Sequence, residues 1–182
     1  MKKGIFIFCF TFTAFALFFR GKAVEKELTL EQFNMLNGFG LETAKAVSAL
    51  HDYKIPASVI MAQAILESGW GHSKSARWFN AFFGWMAGKR WKGKTGRNAD
   101  GVCRAYDSAT ASYIDHANNL SEYKRYSGCF EITGRNAKKR AFAWCDCLEG
   151  AGYCIDRKTY AKKLKRIIKD YDLHLHDTQP IF

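Results

Sequence analysis

The feature that most limits the fold is an apolar run from Val59 to Leu66, which reads VIMAQAIL and is followed at once by Glu67. A helix with apolar side chains on nearly every side is surrounded by other elements of the fold. A buried strand is the alternative for eight such residues. The alanines and the glutamine disfavour a strand, and Gly69 and Gly71 suit a helix end. The run therefore predicts a central buried helix.

Apolar residues at helical spacing recur on both sides of this run. Residues 41–53 carry Ala44, Val47 and Leu50 in this pattern, and Pro56 suits the first turn of the next helix. Three later segments also predict helices, at 108–120, 136–148 and 158–171. Between residues 84 and 106, glycines and an Asn98-Ala99-Asp100-Gly101 turn signal predict a loop or a small hairpin. The expected fold class is mainly α with a small β-hairpin.

The N-terminus has the residue order of a secretory signal. Two lysines precede an apolar stretch over residues 5–19, and small residues follow near Ala23. An uncleaved membrane anchor is the alternative, but 15 apolar residues are fewer than the roughly 20 that span a bilayer as a helix. We predict a signal peptide at 1–23, one domain at 24–182 and a periplasmic or secreted location.

The chain is basic, with a formal net charge of +11. Loss of residues 1–23 removes four basic residues and no acidic one, which leaves +7. A basic exported protein suits a polyanionic partner, although a solvated basic surface is the alternative. Nucleic acid is not expected, because the basic residues are spread over several segments and exported chains rarely meet it. Peripheral or anchored membrane association stays open, and we expect a monomer.

Five cysteines remain after residue 23, which is an odd number. At least one thiol is therefore free or pairs between molecules. Zinc is disfavoured because Cys145 and Cys147 are two positions apart, where a helix points them in different directions. The histidines show no ligand spacing with a partnering acid. We predict no metal and no cofactor.

Glu67 is the strongest candidate for chemistry. A carboxyl on a buried helix loses hydration, and the negative C-terminal end of the helix dipole also disfavours its charge, so both effects raise its pKa. Such a group can stay protonated near neutral pH and donate a proton to a leaving oxygen, as in lysozyme. A glutamate that only caps or salt-bridges at a helix end is the alternative.

Five segments carry a family resemblance. Residues 56–71 read PASVIMAQAILESGWG, and NAFFG (80–84), WKG (91–93), RAYDS (104–108) and GYCID (152–156, followed by Tyr160-Ala161) come after it in order. Together they resemble the glucosaminidase family of peptidoglycan hydrolases, glycoside hydrolase family 73, over residues from about 40 to 177. The resemblance implies a lysozyme-like fold in which a hairpin flanks a substrate groove. It also implies cleavage of the GlcNAc-β-1,4-MurNAc bond of peptidoglycan glycan strands.

By this resemblance, Glu67 is the catalytic acid and Tyr153 lies beside the scissile bond. Asp156 and Tyr160 would shape the same wall of the groove. Trp70 and Asn80 match positions that the family keeps near the floor of the site. Trp91, like Trp78 and Trp85, is expected to stack on sugar rings, with core or hairpin packing as the alternative for each.

Two departures from the family pattern affect the mechanism. Ala81 replaces the second asparagine of one motif, and Ile155-Asp156-Arg157 replaces Thr-Asp-Pro in another. The hairpin region carries a single acid, Asp100. Either Asp100 activates water in a two-carboxylate scheme, or the 2-acetamido group of the substrate attacks the anomeric carbon beside Tyr153. A lytic transglycosylase or muramidase and a catalytically silent peptidoglycan-binding scaffold are the competing functions.

Overall fold

The computed structural model describes residues 28–154 and 158–178. Its α-helices are α1 (Leu30–Asn37), α2 (Phe39–Leu50), α3 (Ala57–Ser68), α4 (Lys74–Phe79), α5 (Ala109–Glu122), α6 (Ala137–Gly150) and α7 (Tyr160–Asp170). Two strands, β1 (Thr95–Asn98) and β2 (Gly101–Arg104), form an antiparallel hairpin, and 3₁₀ helices cover Lys124–Glu131 and Leu173–His176. The predicted mainly helical fold with a small hairpin is confirmed.

Helix α3 is the central element that the apolar run predicts. Nearly all of its residues are buried, and α2, α6, α7 and the 3₁₀ helix Leu173–His176 pack against it. Pro56 precedes its first turn in an extended conformation and offers no side-chain cap. Asp177 supplies that cap from the other end of the chain, because its carboxylate accepts hydrogen bonds from the Ser58 amide (2.8 Å) and the Ser58 hydroxyl (2.7 Å). The C-terminal tail therefore holds the start of α3.

The other four predicted helices are present as α2, α5, α6 and α7, whereas α1 and α4 were not predicted. In α5 the predicted face of Tyr113, Ala117 and Leu120 is buried, and Ser108 caps the first turn. One boundary is wrong, because α2 ends at Leu50 and the Leu50 side chain is exposed. Asp52 and Tyr53 have positive φ values of 52° and 57°, so the helical path ends before the predicted limit.

The hairpin is extended on one side by the segment that follows α4. Met86 forms a bridge with Cys103, Arg104 N–H donates to the Trp85 carbonyl at 3.0 Å, and Ala87 N–H donates to the Val102 carbonyl at 2.9 Å. These bonds fix residues 84–88 along β2. The segment that carries Trp85 therefore pairs with β2 in the manner of a third short strand.

One disulfide, between Cys129 and Cys147, joins the 3₁₀ helix Lys124–Glu131 to α6. Cys103, Cys145 and Cys154 are free thiols, in line with the odd cysteine number. The predicted signal peptide at 1–23 lies outside the described residues. Within the described ranges, no helix has the length and apolar character needed to span a membrane.

Candidate active site

Glu67 lies in the last turn of α3 and lines a groove of about 470 Å³ beside the hairpin. Gly69 ends the helix with a left-handed φ of 56°, and Trp70 and Gly71 continue with φ values of 62° and 80°. Only glycine adopts this region without strain, so a glycine on each side of Trp70 permits the sharp turn. The turn leads the chain away from the helix axis directly after the glutamate.

Three donors surround the Glu67 carboxyl. The Tyr160 hydroxyl donates to Oε1 at 2.6 Å, and the Gly84 amide donates to Oε2 at 3.2 Å. Tyr153 also hydrogen-bonds to this carboxyl. Burial raises the pKa of Glu67, and the hydrogen bonds from Tyr160, Gly84 and Tyr153 oppose that rise without cancelling it. The carboxyl therefore keeps its proton to a higher pH than an ordinary glutamate.

The two tyrosines form a stacked pair against the glutamate. Their ring centroids lie 5.3 Å apart, with 19° between the ring planes. Burial raises the pKa of both hydroxyls well above the usual tyrosine range, and the negative charge of Glu67 adds to the effect. Tyr153 and Tyr160 are therefore permanent hydrogen-bond donors near neutral pH.

A directed chain of hydrogen bonds leads from the groove wall to Tyr160. The indole of Trp85 donates to Nδ1 of His116 (3.1 Å), Nε2 of His116 meets Oε1 of Gln63 (3.0 Å), and Nε2 of Gln63 donates to the Tyr160 hydroxyl (2.9 Å). An indole can only donate, so Nδ1 must accept and Nε2 carries the proton. Burial lowers the pKa of His116 to about 3, which keeps this neutral tautomer. Each donor in the chain points toward Glu67.

Gln63 and His116 were not predicted as site residues. Both are fully buried. A signal for Gln63 was present, because a glutamine inside an apolar run needs a hydrogen-bond partner and lies one helical turn before Glu67 on the same face. His116 carried no comparable signal.

Aromatic and cationic side chains line the rest of the groove. Trp85, Trp91 and Tyr123 supply ring surfaces. Arg104 is held beneath Trp91, with its guanidinium 4.7 Å from the ring centroid, and Nη1 donates to both carboxylate oxygens of Asp115 at 2.9 and 2.8 Å. The other cations at the groove are Lys89, Arg90 and Arg125, none of which the sequence analysis singled out.

Trp91 lines the groove. Its indole nitrogen donates to the Lys94 carbonyl at 2.8 Å, and its ring meets Tyr106 edge-on. Tyr160 and Tyr153 also line a second cavity that opens next to Glu67. The structure thus brings Glu67, Tyr153, Tyr160 and Trp91 together.

Trp70 and Asn80 do not fit the expected positions, and neither is among the described residues that line the groove. Trp70 packs edge-on against Tyr171 at 5.1 Å and borders a separate apolar cavity, because the left-handed turn after α3 carries it away from Glu67. Asn80 caps α4 in a left-handed conformation, and its amide donates to the Tyr106 carbonyl at 3.0 Å. Neither side chain therefore lies in the groove beside Glu67.

Asp100 lies in the two-residue turn between β1 and β2, where its amide donates to the Asn98 side chain at 3.0 Å. It is not among the described residues at the groove, of which Glu67 is the one carboxylic acid. Asp156 lies outside the described residues. Trp78 is exposed on α4. Within the described residues, no group of three or more potential protein ligands could hold a metal ion.

Comparison with known proteins identifies a family. Residues 43–173 match the glucosaminidase family, described as mannosyl-glycoprotein endo-beta-N-acetylglucosaminidase. Over 144 residues the chain is 31% identical to the exo-glucosaminidase LytG of Bacillus subtilis, an alignment that covers 69% of this chain and 47% of that protein. The chain thus spans about half the length of this relative.

Solved structures share the same fold. The catalytic domain of the autolysin Auto from Listeria monocytogenes has a TM-score of 0.62 at 26% identity, with 85% of this chain and 92% of that chain covered. A peptidoglycan hydrolase from Sphingomonas sp. A1 has a TM-score of 0.59 at 28% identity, covering 75% and 87%. The glycoside hydrolase domain of FlgJ from Salmonella typhimurium has a TM-score of 0.57 at 26% identity, covering 72% and 82%. The chain belongs to the glucosaminidase family of glycoside hydrolases.

Proposed function

We propose that the protein is an exported cell-wall hydrolase that cuts the GlcNAc-β-1,4-MurNAc bond of peptidoglycan glycan strands, with Glu67 as its general acid. The observation that carries this proposal is the Glu67 carboxyl, which lines an aromatic groove, has a raised pKa and meets two tyrosine hydroxyls. Two proteins of similar structure, a peptidoglycan hydrolase and an autolysin, support peptidoglycan as the substrate.

In the first step, protonated Glu67 donates its proton to the glycosidic oxygen as the bond from that oxygen to the anomeric carbon breaks. A general acid is most effective when its pKa lies near the working pH, and burial moves Glu67 in that direction. The Gly84 amide and the Tyr160 hydroxyl then stabilise the carboxylate that remains.

The second group in the mechanism is the 2-acetamido group of the substrate. Its carbonyl oxygen attacks the anomeric carbon as the leaving oxygen departs, and water later opens the cyclic intermediate while Glu67 takes a proton from that water. Tyr153 stays protonated and supplies a hydroxyl beside Glu67 to orient the reacting group. The position of Asp100 in the hairpin turn favours this scheme over one with two carboxylates.

Export is part of the proposal. It rests on the signal-like order of residues 1–23 and on the cell-wall substrate that the family suggests. The Cys129–Cys147 disulfide suits an oxidising compartment outside the cytoplasm.

Digestion of purified peptidoglycan tests the function, with mass spectrometry of the released ends. We expect reducing-end GlcNAc from the wild type, and a rate lower by roughly 10²–10⁴-fold for Glu67→Gln. Glu131→Gln, which removes an exposed carboxyl at the end of a 3₁₀ helix, is the matched control and should cut normally.

Other products would assign a different function. Anhydro-muramic ends would identify a lytic transglycosylase, and reducing-end MurNAc would identify a muramidase. Binding to purified sacculi without any cleavage, by both the wild type and Glu67→Gln, would identify a scaffold protein.

A further inference from the structure

Positive charge accumulates at the groove well beyond what the proposed catalysis uses. Four cationic side chains line it, and Glu67 is the one carboxyl among the described residues there. Lys89 and Arg90 come from the loop before the hairpin, and Arg125 comes from the 3₁₀ helix Lys124–Glu131. With Arg104 from β2, cations from three separate segments therefore meet at one cavity.

Three of these four cations are free to bind a ligand. Arg104 is neutralised by Asp115 and covered by Trp91. Lys89 and Arg90 are exposed, and in the described part of the chain no carboxylate lies within ion-pair distance of either residue or of Arg125.

Arg125 is held in place but keeps donors available. Its guanidinium lies 4.6 Å from the ring centroid of Tyr126, and Nη1 donates one long hydrogen bond of 3.4 Å to the Gly152 carbonyl. The remaining N–H groups have the fork geometry that matches a carboxylate. Gly152 directly precedes Tyr153, so this cation is anchored beside a residue that hydrogen-bonds to Glu67.

The excess of cations at the groove indicates whether the bound glycan is neutral or anionic. A neutral polymer of N-acetylglucosamine would offer no anion to Lys89, Arg90 or Arg125. Arg90 also borders an adjoining cavity with the carboxyls of Asp115 and Glu122, whereas Lys89 and Arg125 do not. Muramyl sugars carry a lactyl group whose carboxylate is either free or amide-linked to a stem peptide that has carboxylates of its own. An anionic glycan therefore complements this groove, and long-range attraction adds to the contact energy.

We propose that Lys89, Arg90 and Arg125 form a carboxylate subsite that binds the anionic substituent of a muramyl sugar in the groove. This inference rests on the proposed peptidoglycan substrate and adds a basis for choosing it over neutral chitin-like strands. The aromatic rings of Trp85 and Trp91 hold the sugar faces, and the three cations hold the acidic side groups.

Binding to the Glu67→Gln variant tests the subsite, because the glycan stays intact. Titration calorimetry would use peptide-free glycan strands with free lactyl carboxylates, strands that keep stem peptides, and both kinds with every carboxylate capped as a methylamide. We expect the capped strands to bind about fivefold to tenfold more weakly, the size of a few exposed ion pairs. The uncapped strand that binds more tightly identifies the source of the carboxylate: the lactyl group for peptide-free strands, or the stem peptide for strands that keep it.

Variants on the same background locate the effect. Lys89→Ala/Arg90→Ala and, separately, Arg125→Ala should bind uncapped strands more weakly and lose most of the difference between uncapped and capped strands. Lys92→Ala/Lys139→Ala removes the same charge as the first variant, from exposed lysines that are not among the described groove residues, and should behave like the parent. Added salt should lower the affinity for uncapped strands only.

Equal affinity for capped and uncapped strands, or a preference that survives in both variants, would overturn the subsite while leaving the hydrolase proposal intact. If binding depends on the carboxylates but the wild type cuts no glycan, the hydrolase proposal is overturned and the subsite stands. Failure of every strand to bind would overturn both.

Discussion

The Tyr160 hydroxyl donates a 2.6 Å hydrogen bond to Oε1 of Glu67, although the two residues are 93 positions apart in the chain. Tyr160 begins α7, and Glu67 lies in the last turn of α3. These two helices pack against each other. Because the same hydroxyl accepts a hydrogen bond from Gln63, its own proton has Glu67 as its partner. The packing of α7 on α3 therefore sets both the position and the acidity of the carboxyl.

Tyr160→Phe should shift the pH profile of cleavage. The lost hydrogen bond stabilised the carboxylate, so its removal raises the pKa of Glu67 further. The reaction needs protonated Glu67 and is lost as pH rises through that pKa, so the alkaline limb of kcat/KM should move to higher pH. We expect the maximum rate to fall about tenfold, comparable to one hydrogen bond to a charged group.

The measurement is kcat/KM on soluble glycan from pH 4 to pH 9. Tyr53→Phe, in the turn after α2, is the control and should keep the wild-type profile. An alkaline limb that stays in place or moves to lower pH would contradict this role for Tyr160.

Glu67→Gln should become more stable relative to the wild type as pH rises. The folded state raises the pKa of Glu67, so it binds the proton more tightly than the unfolded state does. Below the pH at which an ordinary carboxyl group titrates, Glu67 is protonated in both the folded and the unfolded state, and its burial carries no ionisation cost. As pH rises toward the folded pKa, the wild type carries a growing cost that the variant lacks. The difference in Tm should therefore grow by a few degrees between pH 4 and pH 8.

Thermal unfolding of both proteins at four or five pH values would measure this difference. Glu131→Gln, at an exposed position, should show a small difference that does not change with pH. A difference for Glu67→Gln that shrinks as pH rises would mean that the folded state favours the carboxylate.

The central helix and its glutamate could be predicted because their signals are local. The apolar run, the glycines after it and the family motif all lie within residues 56–71. Helix α1 was missed although Thr29 and Gln32 form a capping box there, and α4 was missed because six residues show no clear period. Short helices depend more on packing than on pattern.

The groove itself could be predicted only in part. Glu67 was predicted from the buried helix and from motif resemblance, and Tyr153 and Tyr160 from the resemblance alone. The position of Trp70 instead depends on three successive left-handed residues after α3. Three residues with positive φ reverse the path of the chain, and a sequence pattern does not report the resulting direction. The cations at the groove come from a loop, from strand β2 and from a 3₁₀ helix, so only the tertiary fold brings them together.

Asp100→Ala should leave most of the activity, with a loss of less than about threefold. Asp100 occupies the hairpin turn, and the substrate-assisted scheme gives it no role. Asp107→Ala is the control, because it also removes one negative charge, from an exposed carboxylate that pairs with Lys94. Release of reducing ends from purified peptidoglycan is the measurement. A loss of several orders of magnitude for Asp100→Ala alone would restore the two-carboxylate mechanism.

Asp177→Ala should destabilise the fold by about 1–2 kcal/mol, the usual effect of removing a helix cap. Both carboxylate oxygens of Asp177 accept hydrogen bonds from Ser58, and Ser58 is fully buried, so the variant leaves two donors without their partner. Asp146→Ala removes an exposed carboxylate that pairs with Lys165 and should cost less than about 1 kcal/mol. Urea unfolding at pH 7 measures both variants.

Because α3 carries Glu67, the Asp177 variant should lose activity at a lower temperature than the wild type while cutting at a near-normal rate well below its Tm. Equal unfolding midpoints for the wild type and Asp177→Ala would show that the tail does not hold the catalytic helix.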